Sequence, residues 1–125
     1  MIYYTVTTYD GFGNVAGTYK AKNIGWFNHG AIVLTLKGDK KITIRMPSII
    51  VEIPKVTDHL SCFPSEKYPH NIILYSLDNK IIKSWISEYA PALPEFGALF
   101  DTKESHVEIH GSYVINKIDS PNNEK

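Results

Sequence analysis

A mainly β chain of the α+β class is what the sequence predicts: a small curled antiparallel sheet or barrel of about seven to eight strands, with one helix near residues 79–89. Three features lead there. Apolar and polar residues alternate over many short stretches, glycine- and proline-containing turns separate those stretches, and one segment alone repeats its apolar residues at helical spacing.

The first strand is Ile2 to Tyr9, aromatic or β-branched throughout. Asp10-Gly11-Phe12-Gly13-Asn14 supplies turn residues that accept positive φ, and Val15 to Lys22 completes a hairpin. Gly11-Phe12-Gly13 also looks like a phosphate loop, but no helix follows it, so the amide dipoles that hold phosphate are missing and a plain turn is expected. A loop from Gly25 to Gly30 carries Trp26, Phe27, Asn28 and His29. The third strand follows, with Ile32, Leu34 and Leu36 alternating against Val33, Thr35 and Lys37. Gly38-Asp39 turns the chain into a fourth strand whose Ile42, Ile44 and Met46 oppose Lys41, Thr43 and Arg45. Pro47 breaks that strand. Ile49, Val51 and Ile53 form a fifth, which Pro54 ends because proline has no amide for a ladder.

Residues 54–70 contain three prolines, Cys62 and two histidines without periodicity, a long surface excursion of the kind that often carries function. Ile72 to Leu77 is a short apolar run. Beyond it Ile81, Ile82, Trp85, Ile86 and Tyr89 recur at helical spacing, Asp78 can serve as N-cap and Pro91 stops the segment, so a helix is favoured. The competing reading makes Asp78-Asn79 a hairpin turn and Lys80 to Ser87 a strand. Residues 90–103 are irregular yet apolar through Leu93, Phe96, Leu99 and Phe100, and are expected to pack on the barrel or on a partner. Strand alternation resumes over 104–118 around Gly111. The chain is expected to be one globular domain over 1–118 with a flexible tail over 119–125, and no internal repeat is visible.

Composition narrows the function. Thirteen basic and thirteen acidic side chains balance, so no net field draws the chain to nucleic acid, which is not an expected partner. No apolar run is long enough to span a bilayer and no signal segment opens the chain, so no membrane is expected and the cytoplasm is the expected compartment. One cysteine excludes an internal disulfide. Arg45 is the only arginine, which excludes a multi-arginine phosphate pocket. The abundance of Ile, Lys, Asn and Tyr, whose codons are AT-rich, points to a low-GC bacterium or its phage or mobile element.

Four constellations could carry chemistry. Trp26, Phe27, Asn28 and His29 lie in one loop, with Tyr3, Tyr9 and Tyr19 on nearby strands, and an exposed aromatic cluster would suit a protein partner or small-molecule ligand. The alternative for Trp26 is a plug in the barrel end. His106, Glu108 and His110 share one face of a strand and could hold zinc or iron, although residues two apart lie nearly 7 Å from each other, so three on one strand converge poorly and His59 or His70 would have to help. A solvent-facing polar side is the more ordinary reading. Cys62 with His59 could form a thiol–base pair, but a lone cysteine is more often a small buried hydrophobe. Lys37, Lys40, Lys41 and Arg45 crowd one turn, which fits a weak nucleic-acid patch less well than a charged hairpin tip that discourages edge pairing.

The expectation is therefore a non-catalytic binding protein, an adaptor, inhibitor or ligand-sequestering module without cofactor, that forms a homo-oligomer. A metal-dependent enzyme built on His106, Glu108 and His110 is the first alternative, and a weak nucleic-acid-binding barrel the second.

Overall fold

The computed structural model describes residues 2–27, 30–55 and 69–118. Among the described residues eleven strands are formed: β1 Tyr4–Tyr9, β2 Val15–Ala21, β3 Asn23–Trp26, β4 Ile32–Thr35, β5 Lys41–Ile44, β6 Ser48–Pro54, β7 His70–Tyr75, β8 Ile81–Ser87, β9 Ala98–Asp101, β10 Ser105–His110 and β11 Ser112–Lys117. They make a five-stranded sheet in the order β2-β1-β6-β10-β9, and two three-stranded sheets, β3-β4-β5 and β11-β7-β8. Every pairing is antiparallel. The molecule is thus mainly β, but three open sheets replace the expected closed barrel. Their edges remain because β5 and β11 each lie at the end of a three-stranded sheet.

The expected helix near residues 79–89 is a strand, β8, paired along β7 from His70↔Ser87 to Tyr75↔Ile81. Turn chemistry decided against helical spacing. The amide of Ser76 donates to the carbonyl of Lys80 and that of Asn79 to Ser76, at 2.8 and 3.0 Å. Asn79 takes a left-handed φ of 67°, a conformation asparagine tolerates. Asp78 does not cap a helix; it accepts a hydrogen bond from the Ser76 hydroxyl. Ile81 and Ile86, counted toward a buried helical face, are 64% and 56% exposed, while Trp85 and Ser87 are buried. Among the described residues the sole helical turn is the 3-10 turn Lys37–Asp39.

β6 is buried over Ser48 to Val51 rather than alternating, because it is the middle strand of a sheet covered on both faces. Ile49 and Val51 join Val6, Ala21, Ile32 and Leu34 in one core, against the β3-β4-β5 sheet. Ile50 joins Ile72, Leu74, Trp85, Phe100, Val107 and Ile109 in a second core, against the β11-β7-β8 sheet. Such continuous apolar strands are the signature of two-sided burial.

The two cores belong to two copies of one strand plan, which corrects the expectation that the chain has no repeat. In the β1–β2 hairpin Tyr9 pairs with Val15 and Thr8 with Gly17, one residue being skipped; in β7–β8 Tyr75 pairs with Ile81 and Leu74 with Lys83, with the same skip. The turns match bond for bond: Asp10 N–H to Asn14 and Gly13 N–H to Asp10 repeat the Ser76 and Asn79 bonds, and Gly13, with φ 87°, stands where Asn79 stands. β6 returns along β1 (Tyr9↔Ser48, Val6↔Val51) as β11 returns along β7 (Tyr75↔Ser112, Ile72↔Ile115). β4–β5 (Ile32↔Ile44, Leu34↔Ile42) answers to β9–β10 (Ala98↔Ile109, Phe100↔Val107). The counterpart of β3 is reduced to a single bridge, Ala92↔Leu99. The halves are joined where β10 of the second runs along β6 of the first. Lys83, with its ammonium 5.6 Å from the Trp85 ring centroid, crosses this joint to Glu52 at 3.2 Å.

The segment over 90–103, expected to be irregular, contains strand β9 over Ala98–Asp101; Phe100 is buried while Leu93 is 63% exposed. Gly111, at φ 141°, sends β10 and β11, read from sequence as one alternating stretch, into different sheets. The tail over 119–125 and most of the 54–70 excursion lie outside the described residues.

Candidate functional site

β10 turns Val107 and Ile109 into the second core, so the two-residue period puts His106, Glu108 and His110 on the opposite face. That face meets the end of β3, and the sequence's two separate candidates converge there. The indole Nε1–H of Trp26 donates to Glu108 Oε1 at 2.6 Å. Glu108 Oε2 lies 2.9 Å from His106 Nε2, and His106 Nδ1 lies 2.8 Å from Asp101 Oδ1. A ring held between two carboxylates donates from both nitrogens, which is the form of an imidazolium.

His110 donates through Nδ1 to the carbonyl of Phe96 at 2.7 Å. Phe96 stacks on Trp26 with centroids 4.2 Å apart and planes 3° from parallel. Gly30, at φ 83°, lets the chain pass over the His110 ring: a Cβ there would stand 2.2 Å from Cε1. Trp26 is therefore a fixed member of a seam between the β3-β4-β5 sheet and β10. Phe27, next to it, is 54% exposed. Asn28 and His29 lie outside the described residues, as do His59 and Cys62. His70 opens β7 with its Nδ1 buried and without a hydrogen-bond partner.

This arrangement can hold protons and join elements, but offers no open ligand set. Both nitrogens of His106 and both oxygens of Glu108 are engaged, and among the described residues no group of three or more His, Cys, Asp or Glu side chains is placed to hold a metal ion. In the cationic turn, Lys22 reaches Asp39 at 2.5 Å, so that turn carries an acidic partner. Sequence reasoning missed Phe96 and Asp101. Phe96 carried no signal beyond its apolar surroundings, and Asp101 none beyond its place at the end of a short run.

The seam makes stability depend on pH. The hydrogen bond that His106 donates to Glu108, opposed by burial and aided by Asp101, raises the His106 pKa above its usual value. For Glu108, burial pushes the carboxyl up, but the bonds from His106 and Trp26 outweigh it and lower the pKa. The His106 contribution is complete below the ordinary histidine value of about 6.5 and fades as pH rises through the raised one; the Glu108 contribution is complete above its ordinary value and fades as pH falls through the lowered one. Stability should thus decline by about 1 kcal/mol as pH rises from the mildly acidic range through the raised His106 value, a partly exposed pair being screened by water. Urea melts of wild type and His106→Asn across that range check it: the decline should be absent from the variant.

A second feature lies where the turns of the two repeats meet. Leu77 N–H donates to the Gly11 carbonyl at 3.1 Å, and the Leu77 side chain lies over Gly11, where a Cβ would be 3.2 Å from Cδ1. On these hairpins Phe12, Val15, Leu77 and Ile81 are 61% to 65% exposed. The signal was present in sequence: Phe12 stands between two glycines at a turn, a position that usually takes a polar residue.

No helix among the described residues is long and apolar enough to cross a membrane. Comparison with protein-family models, curated proteins and solved structures gave no match.

Proposed function

We propose that the chain is a non-catalytic binding protein, an adaptor or inhibitor of a low-GC bacterium or its phage, whose contact surface is the apolar end built by the two hairpin turns. One observation carries this reading: four large apolar side chains, Phe12, Val15, Leu77 and Ile81, stay more than 60% exposed on two hairpins tied together by a backbone hydrogen bond. Single exposed apolar residues are ordinary, but several large ones gathered on neighbouring hairpins favour an interaction surface. The turns are well fixed, since the Asp10 carboxylate takes the amides of Phe12 and Asn14 at 2.9 Å each. A preorganised apolar tip costs little ordering entropy on binding. The partner it suits is a protein with an apolar groove.

The enzyme reading draws no support from the His106 network, whose polar atoms are spent on one another. The test is capture from a low-GC bacterial lysate by wild type and by the Phe12→Ser/Leu77→Ser variant, with circular dichroism confirming that both are folded. A captured protein should be retained at least tenfold less by the variant. Equal retention would remove the hairpin end as the contact surface.

A further inference from the structure

The joint between the two repeats leaves complementary edges unused. Inside the molecule the outer edge of β6 takes β10, in the register Ile53↔His106, Val51↔Glu108, Ile49↔His110. The repeat equates β6 with β11, and β10 with β5. Both counterparts lie at sheet ends among the described residues, β11 beside β7 and β5 beside β4. We propose that the chain associates with a second copy of itself by laying β5 of one copy along β11 of the other, repeating between molecules the joint that β10 and β6 make within one.

The hydrogen-bonding phase permits this. The Ile118 amide bonds to the Pro69 carbonyl on the β7 side, so by alternation the backbone groups of Tyr113 and Ile115 point away from β7. The Leu36 amide bonds to Lys40 on the β4 side, so those of Lys41 and Thr43 point away from β4. Transferring the internal register brings Thr43 opposite Ile115 and Arg45 opposite Tyr113, outward groups meeting outward groups, as Glu108 meets Val51. The Lys55 amide, bonded to Glu104 at 3.0 Å, gives the internal joint the same phase.

Side chains point the same way. Val114 occupies the place of Ile50, yet Ile50, packed against β10 and the β11-β7-β8 sheet, is 2% exposed, and Val114 is 43% exposed. In the transferred joint Val114 lies opposite Ile44, as Ile50 lies opposite Ile109. β11 also has no proline or register shift, and no charge before Lys117. Three of the other edges are interrupted: β2 and β8 carry register shifts, and Ala92 bonds both ways with Leu99 along β9, at 2.9 Å each. The contact is head-to-tail, so it leads to rings or open chains rather than a closed two-fold dimer.

One feature opposes it, and makes the test specific. The register sets Lys41 of one copy against Lys117 of the other, and like charges directly opposite are destabilising. Association should therefore strengthen with added salt, and Lys41→Glu should tighten it by roughly three- to tenfold. Val114→Lys should weaken it at least tenfold. Thr43→Pro should do likewise by removing an outward amide without touching the β4 ladder. Sedimentation velocity of the full chain over a concentration series, with thermal melts of each variant, reads all of these. Expected is a mass that grows past the dimer with concentration, rises for Lys41→Glu and falls for folded Thr43→Pro. A monomer at every concentration for both wild type and Lys41→Glu would overturn the proposal, as would a fixed dimer indifferent to both β5 substitutions.

Discussion

Gly97→Ala should cost about 3 kcal/mol or more and lower the thermal midpoint by about 10 °C or more. Gly97 has φ 156°, and a Cβ built there would stand 2.0 Å from the carbonyl oxygen of Ile109. The obstacle is backbone, and it is locked: Ile109 pairs with Ala98 and with Ile50, within the joint between the repeats. No side chain can swing aside. Gly38 is the control, since it also has positive φ, 80°, but nothing within 4 Å of its missing Cβ, so Gly38→Ala should cost only about 1 kcal/mol. Urea and thermal melts of the two variants measure the contrast; equal losses would mean that the approach of Gly97 to β10 is wrong.

Trp26→Ala should cost about 3 kcal/mol, the low end for removing a large aromatic side chain because Trp26 is only partly buried. It removes the stack on Phe96 and takes from Glu108 one of its two hydrogen-bond partners. Trp26→Phe keeps a ring for the stack and loses the donor, at about 1 kcal/mol. Because donor and acceptor act as a unit, Trp26→Phe and Glu108→Gln should not add; a double-mutant cycle by urea melts should return a coupling of about 1 kcal/mol. A coupling near zero would mean that the indole and the carboxylate do not meet.

Much of the architecture was legible in period-two alternation. The β1–β2 hairpin, β4 and β5 follow it closely, since each has a single buried face, whereas β6, buried on both faces at its start, does not. The helix was misjudged because Ile81, Ile82, Trp85 and Ile86 satisfy helical spacing while two of them, Ile81 and Ile86, face solvent in the folded chain. An exposed apolar pair corrupts a pattern that assumes apolar residues are buried. The repeat was invisible for a related reason. Among matched strand positions identical residues survive only at Tyr9 and Tyr75, Ile44 and Ile109, and Ser48 and Ser112. What is kept is register, the skipped residue and the turn bonds, which only pairing reveals. The site was half legible. Alternation placed His106, Glu108 and His110 on one face correctly, and Trp26 stood out by type, but that β3 meets β10 is a tertiary fact absent from local sequence.

The fold is one strand plan used twice and joined along β6 and β10. A three-dimensional NOESY spectrum of the labelled chain tests it most directly. Cross-strand connectivities should place Ile109 opposite Ile50 and Val107 opposite Glu52, with β10 flanked by β6 on one side and β9 on the other. A spectrum that puts β6 beside β5, closing the first half on itself, and leaves β10 without contacts to β6 would contradict it.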